Sequence, residues 1–517
     1  MGNEEEYSEI LKQKSQKFYS ELNRIDTTET MNGNDHNSLS EKIQLKVFIS
    51  QIENDCSYTI KLYNIIGGKK YPLNDITDCS IQKNKTAVLN HRTIIRYYFE
   101  RDQPLSVEII KNKGGFSKMY QINTKLGCVM GSRKNTLLQY LSNSKRETLV
   151  LKAEKVKQSE DIINIQFVVT PTNNYVSLKD PKNKMYYEIY SDNLLYRSEF
   201  LNDKGVFNPA KIPLGLFKNN KITIKFCKIS KKAKGNFLVT INELISGKIF
   251  NVTINGIPFQ IISKCKITKN YTFVDYLQAG VQIGLSVAID FTRSNGNPND
   301  PQSLHYINGP VPNQYERAIF SCGNIVGYYD YDQLFPCFGF GAKINNQPVP
   351  LFNLNFQKNP NVTYIQGIID AYHNALNKVS LWGPTCFSPI LKAVNEILRN
   401  QKNIFKYHIL MILTDGRIDD LDNTIEELVV SSLLPLSVII IGVGKGDFTS
   451  MVELDADEHP LVNSKGVVAK RDLVQFVPFL KYENNPELLV TEVLAEIPRQ
   501  LIEYYEQNNL DPYKLTS

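Results

Sequence analysis

Two periodicities divide the chain. Between residues 42 and 270, apolar and polar positions alternate over short runs. Ile43-Gln-Leu-Lys-Val-Phe-Ile49, Leu105-Ser-Val-Glu-Ile-Ile110 and Ile222-Thr-Ile-Lys-Phe-Cys227 are examples. A period of two with β-branched residues and turn signals between runs predicts half-buried strands. The pattern occurs twice. Pro104-Leu-Ser-Val-Glu-Ile-Ile-Lys-Asn-Lys-Gly-Gly-Phe116 parallels Lys221-Ile-Thr-Ile-Lys-Phe-Cys-Lys-Ile-Ser-Lys-Lys-Ala-Lys-Gly-Asn-Phe237. In each, a strand runs into a lysine-rich glycine loop and then an aromatic residue. Two β-sandwiches of about 110 residues each fit the span, with a boundary expected in the polar stretch Ser142–Arg146.

From Phe273 onward the pattern changes to alternating strand and helix. Strand 282–291 precedes a helix near 313–327, then Leu334-Phe-Pro-Cys-Phe-Gly-Phe-Gly341. Helices follow near 364–379 and 387–401, a strand ends at Leu413, and a helix lies near 420–434. Ser437-Val-Ile-Ile-Ile-Gly442 and Leu473-Val-Gln-Phe-Val-Pro-Phe479 read as buried strands, and an amphipathic helix spans 487–507. This alternation predicts a mostly parallel, doubly wound α/β sheet with helices on both faces. The expected organisation is a flexible acidic leader (1–41), two all-β domains (42–143 and 144–268) and an α/β domain (271–510).

A length of 517 residues requires several cores. The eight cysteines are scattered without a C-x-x-C pair, which argues against a structural zinc site and fits a reducing cytosol. The longest uncharged stretch, Leu428 to Gly444, contains Pro435 and reads as helix end, turn and buried strand, not as a membrane span. In the leader, Gly2 stands where a myristoyl acceptor would, but position 6 is Glu6 in place of Ser or Thr.

Charge is informative once divided. Residues 1–41 carry a net −5, residues 42–270 a net +21 and residues 271–517 a net −10. A basic middle joined to an acidic C-terminal domain suggests that the middle faces a polyanion, either an anionic lipid surface or nucleic acid.

Three separated segments together make a candidate metal site: Asp290-Phe-Thr292-Arg-Ser294, Gly383-Pro-Thr385 and Leu413-Thr-Asp415-Gly416. The first and third follow apolar runs, where a parallel strand delivers its C-terminal end, and ligands bind beyond such ends. Asp290, Thr292, Ser294, Thr385 and Asp415 form an all-oxygen set. Such a set suits Mg²⁺, Mn²⁺ or Ca²⁺, with coordination left over for water or a partner's carboxylate.

These residues carry a family resemblance. The C-terminal region is similar to the copines, which have two C2 domains followed by a von Willebrand factor A-like copine domain. The match rests on Phe273-Val-Asp-Tyr276, Val287-Ala-Ile-Asp-Phe-Thr292, Ser303-Leu-His-Tyr306 and Phe335-Pro-Cys-Phe-Gly-Phe-Gly-Ala342. It continues through Gly383-Pro-Thr385, Leu413-Thr-Asp-Gly416, Met451-Val-Glu-Leu-Asp455 and Asp472-Leu-Val-Gln-Phe-Val-Pro478. The resemblance implies that the five residues above form a metal-ion-dependent adhesion site that recruits protein partners. It also implies calcium-dependent phospholipid binding by the C2 pair. The expected role is non-enzymatic, in the cytoplasm and peripherally at the plasma membrane.

The loops that would hold that calcium depart from the pattern. C2 loops gather several Asp carboxylates, because a divalent cation needs that charge to displace its waters. Here the first domain offers Lys111, Lys113 and Lys118, and the second offers Lys228, Lys231, Lys232 and Lys234. Asp180 remains as a lone possible calcium ligand. The expectation is therefore membrane binding driven by lysine charge, each residue gaining about 1 kcal/mol at an anionic leaflet. Phe116 and Phe237, beside these loops, read as buried strand residues or as side chains entering the interface.

Other chemistry has little support. Gly442-Val-Gly-Lys-Gly446 lacks P-loop spacing, and no G-x-S-x-G occurs. His305 is expected to orient the metal loop by hydrogen bonds, and Trp382 to pack in the core. A nucleic-acid-binding basic module is the alternative reading, although no RNP-type motif appears.

Overall fold

The computed structural model describes residues 40–515, except 53–55, 75–76, 83–84, 92, 143–146, 157–160, 173–177, 179–183, 218–220, 229–230, 255, 310, 402 and 456–459; side chains at 228, 231–234 and 515 are also outside the description. The expected leader lies outside the described residues up to 39. Ser40 and Glu41 open the first strand instead. The described residues of His36–Lys157 and Thr272–Ser517 form one compact unit, and those of Gln158–Tyr271 another.

In the first sandwich, Ser40–Ser50 alternates buried and solvent-facing positions, as its period of two requires. It pairs antiparallel with Thr148–Lys155, bringing Ile43 opposite Lys155. This corrects the expected boundary. Strands Thr136–Tyr140 and Thr148–Lys155 pair with each other, which places Thr148–Lys155 in the first sandwich. The opposing sheet contains the hairpin of Pro104–Lys113 and Phe116–Lys125, with Lys113 opposite Phe116 at its tip.

The second sandwich packs two four-stranded sheets. Its core includes Ile163, Phe167, Tyr187, Phe226 and Phe259. Edge-to-face contacts such as Phe167–Tyr187, with centroids 4.9 Å apart, fill the space between sheets.

The C-terminal domain is α/β. Strands Leu334–Ile344, Gln282–Asp290, Lys406–Thr414, Leu436–Gly442 and Val474–Pro478 lie side by side in that order and pair in parallel. Gln347–Asn353 adds an antiparallel edge. The central strands are uninterrupted runs such as Leu436-Ser-Val-Ile-Ile-Ile-Gly442, every residue of which is buried. Such composition belongs to strands covered by helices on both faces. The C-terminal helix expected over 487–507 is two helices, Pro486–Leu494 and Ile497–Gln507. Pro498 stands in the first turn of the second, where its missing N–H costs nothing, and cannot continue the first.

The first sandwich docks on this domain at the N-terminal ends of the parallel strands. Ile283 N donates to Tyr329 O, tying the Tyr328–Tyr329 turn to the start of its strand. The buried hydroxyls of Tyr97 and Tyr329 meet at 2.7 Å, and Phe99 packs on Phe273 and Tyr329 with centroids 5.0 Å away. Lys155 donates to Asp275 at 2.8 Å. Val274 N and the Thr272 hydroxyl both donate to Glu41. A Cβ on Gly131 would lie 1.9 Å from Tyr328 O, so only glycine permits this approach.

Candidate metal centre

At the opposite ends of those strands, three loops converge. The central strand delivers Asp290, fully buried. Its Oδ1 accepts from Thr292 N at 2.8 Å and its Oδ2 from the Thr414 hydroxyl at 2.6 Å. Thr414 ends the neighbouring parallel strand and Asp415 follows it; Ile289 pairs with Leu413, so the register brings Thr414 beside Asp290. The Ser294 hydroxyl donates to Asp415 Oδ1 at 2.9 Å and lies 3.0 Å from the Thr292 hydroxyl. Thr292 Oγ1 reaches Asp415 Oδ1 at 3.4 Å.

Thr385 arrives on the third loop. Its N–H donates to Asp419 Oδ2 and its carbonyl accepts from Asp419 N, each at 2.8 Å. That reciprocal pair clamps the Thr385 loop to the segment after Asp415. Trp382 pairs with the first loop: its N–H donates to Phe291 O and its carbonyl accepts from Arg293 N. Gly341, with φ +73°, sits where a Cβ would lie 2.4 Å from Thr292 Cγ2. Asp290, Thr292, Ser294 and Asp415 are thus joined by direct hydrogen bonds, and Thr385 is held by the loops that carry them.

The electrostatics would accommodate a cation. Burial and the nearby charge of Asp415 push the Asp290 carboxyl above its usual range, and burial raises Asp415 too. Hydroxyls and a backbone N–H donate to them. Hard oxygen donors with two carboxylates fit Mg²⁺, Mn²⁺ or Ca²⁺, all of which disfavour sulfur and tolerate water as co-ligand. Among the described residues, no group of three or more His, Cys, Asp or Glu side chains could hold a metal, here or elsewhere; this cluster has two carboxylates and relies on hydroxyls for its other oxygens.

His305 supports the site from beneath. Asp290 O can only accept, so the His305 Nε2 2.8 Å away carries the proton and donates. Its Nδ1 accepts from the Tyr372 hydroxyl at 2.7 Å. The ring stacks between Phe291 and Tyr315, and burial lowers its pKa to about 3. It stays neutral and orients the loop. Sequence reasoning missed Thr414 and Asp419. Thr414 stood in the motif itself, but only parallel register reveals that it faces Asp290.

Trp382 departs from its expected core position. It is 39 % exposed, with Lys343 Nζ 3.1 Å and Arg293 Cζ 4.6 Å from its ring centroid. The lysine loops divide as well. Lys113 and Lys118 are exposed. Lys111 is not part of that surface: its side chain is 11 % exposed and pairs with Glu147 at 2.8 Å. It lies within the strand, one pleat below the tip. Phe116 is 83 % exposed at the hairpin tip, whereas Phe237 stacks on Phe250 with centroids 4.4 Å apart. Lys228 and Lys231 face each other in register where two strands meet; the side chains of Lys228, Lys231, Lys232 and Lys234 lie outside the described residues, as does Asp180.

Residues 303–513 match the family model for Copine. The C-terminal module is a copine domain. The matched stretch includes Thr385 and Asp415, while Asp290, Thr292 and Ser294 precede it and are tied to it by the hydrogen bonds above. Among solved structures, the copine-bearing chain is similar to the manganese-loaded Plasmodium vivax TRAP protein. Identity there is 15%, over 40% of this chain and 73% of that one, with a TM-score of 0.27. A pair of C2 domains from Extended-Synaptotagmin 2 matches at 10% identity over 47% of this chain and 98% of that one, with a TM-score of 0.16. The VWA domain of SpRpn10 matches at 12% identity over 38% and 87%, with a TM-score of 0.25. The architecture is that of two β-sandwiches and an α/β domain that contains the stretch matching the Copine model.

Proposed function

We propose that this protein is a non-enzymatic peripheral membrane adaptor of the cytoplasmic face of the plasma membrane. One observation carries the reading: a single compact unit bears an exposed aromatic–lysine tip at one end and the carboxylate–hydroxyl cluster at the other. The tip lies at the far end of the Phe116–Lys125 strand from Lys125, which donates to Tyr328 at the docking surface. The cluster lies at the C-terminal ends of the copine-domain strands, away from that surface. Anionic phospholipid would take Phe116 into its interface with Lys113 and Lys118 on its headgroups. Lysines 228, 231, 232 and 234 of the second sandwich would add charge.

At the far end, Asp290, Thr292, Ser294, Thr385 and Asp415 would hold a divalent cation, which supplies a Lewis-acidic point for a partner's carboxylate. Asp290 and Asp415 contribute the charge, and the three hydroxyls contribute neutral oxygens. Calcium is not needed at the tip, since the lysines already supply positive charge. Co-sedimentation with phosphatidylserine vesicles, with and without EGTA, tests the membrane half. Binding that survives EGTA and falls with salt is expected; strict calcium dependence would refute it.

A further inference from the structure

Each loop of the metal centre has a cation close beside it. Arg293, exposed, stands between Thr292 and Ser294. Lys343 rests on Trp382, three residues before Thr385. Arg417, exposed, follows Asp415 by two residues. Lys445, also exposed, is on the loop whose Gly446 packs so close to Asp415 that a Cβ there would be 1.8 Å from Asp415 O. This happens in a region of net charge −10.

The acidic side chains of the same loops are largely committed. Asp419 accepts from Thr385 N, and Asp420 accepts from Phe387 N and Ser388 N at 2.9 and 3.0 Å. Asp447, which senses Arg417, accepts from the Thr449 N–H and hydroxyl. A cleft of about 540 Å³ opens from Arg293, lined by Asn297, Asn299, Asn308, Asn377 and Leu381. Side-chain amides on its walls suit an extended peptide backbone, which needs both donors and acceptors.

We propose that the site reads acidic segments: one carboxylate meets the cation, and its neighbours along the partner chain are gathered by Arg293, Lys343, Arg417 and Lys445. This rests on the metal-site reading above and adds the class of partner. A lone carboxylate would leave the cationic collar unused. A run of Asp or Glu lying from the metal into the Arg293 cleft would use it.

The test uses the full chain with Mg²⁺ and two fluorescent hexapeptides: hexaglutamate, and one glutamate among five glutamines. Hexaglutamate should bind about tenfold or more tightly, with the margin shrinking at high salt. The triple variant Arg293→Gln, Lys343→Gln, Arg417→Gln should retain single-glutamate binding and lose the preference. Arg417→Gln alone should lose part of it with an unchanged melting curve. Equal binding of both peptides by the wild type, or equal loss of both in the variants, would overturn the proposal. So would a collar variant that loses only phosphatidylserine vesicles, since the collar would then serve lipid. If EDTA leaves the hexaglutamate preference intact, the collar stands and the metal reading fails.

Discussion

The Ser294 hydroxyl donates to Asp415 Oδ1 at 2.9 Å across a sequence separation of 121 residues. Two strand ends that never touch in sequence thereby share one oxygen cluster, with Asp290 buried against it. Without a cation the cluster holds two carboxylates that repel, and this sets up the first prediction. Saturating Mg²⁺ or Mn²⁺ should raise the melting temperature, a ligand at a hundred times its Kd giving about 2.7 kcal/mol. Asp290→Asn should remove that response while leaving the metal-free protein at least as stable, because the like charge is gone. Calorimetry with and without metal decides it; an undiminished response in the variant would exclude Asp290 as a ligand.

At the other pole, the docking of the first sandwich makes the copine domain and residues 40–156 one unfolding unit. Gly131→Ala places a methyl against Tyr328 O, and overpacking of this kind costs about 1–3 kcal/mol. Scanning calorimetry should show the shared transition move down or split in two. Tyr97→Phe, which removes one hydroxyl of the Tyr97–Tyr329 pair and leaves the other buried, should cost about 1 kcal/mol by the same measurement. An unaltered transition in both variants would mean that the contact contributes nothing to stability.

Much of this was legible in the sequence. Runs such as Leu436–Gly442 are unambiguous because burial on both faces leaves almost no polar position, and the candidate metal residues Asp290 and Asp415 stand at the ends of such runs. What was illegible depended on pairing. The strand Thr148–Lys155 belongs to the first sandwich only because its register matches Ser40–Ser50. Lys111 and Lys113 look equivalent in the chain, yet a hairpin tip exposes one while Glu147, from another strand's edge, claims the other. Trp382 reads as core by its chemistry; its place at the rim goes with Arg293 and Lys343, cations contributed by segments distant in sequence. Local pattern fixes elements, and contacts between elements decide which side chains face outward.

That distinction gives the membrane its own test. Phe116→Ala should weaken binding to phosphatidylserine vesicles about tenfold, the scale of removing one inserted aromatic. Replacing Lys113 and Lys118 together by Gln should weaken it about thirtyfold at low salt and flatten the salt dependence. Lys111→Gln should leave vesicle binding intact and lower stability, since it strands Glu147 beside Tyr58. Co-sedimentation of the three variants separates these roles; a Lys111 variant as impaired on vesicles as the double variant would reverse the assignment.

A final prediction concerns pH and uses a group remote from the metal loops. His408 is buried in the central sheet, its Nε2 2.7 Å from the Ser286 hydroxyl, and a Cβ on Gly284 would come within 2.7 Å of its Nδ1. Glycine at 284 makes the room that the ring occupies. Burial, reinforced by the charge of Lys406, lowers its pKa to about 3 from an ordinary value of 6.5. As pH falls below 6.5 the unfolded chain takes the proton and the folded one refuses it. The stability is therefore fully present above that value and declines toward pH 3, by about 1 kcal/mol per pH unit from this residue. Urea unfolding at pH 6 and pH 5 should show that loss in the wild type, reduced by the same amount in His408→Gln. If the two proteins lose stability equally between those pH values, His408 is not the group being titrated.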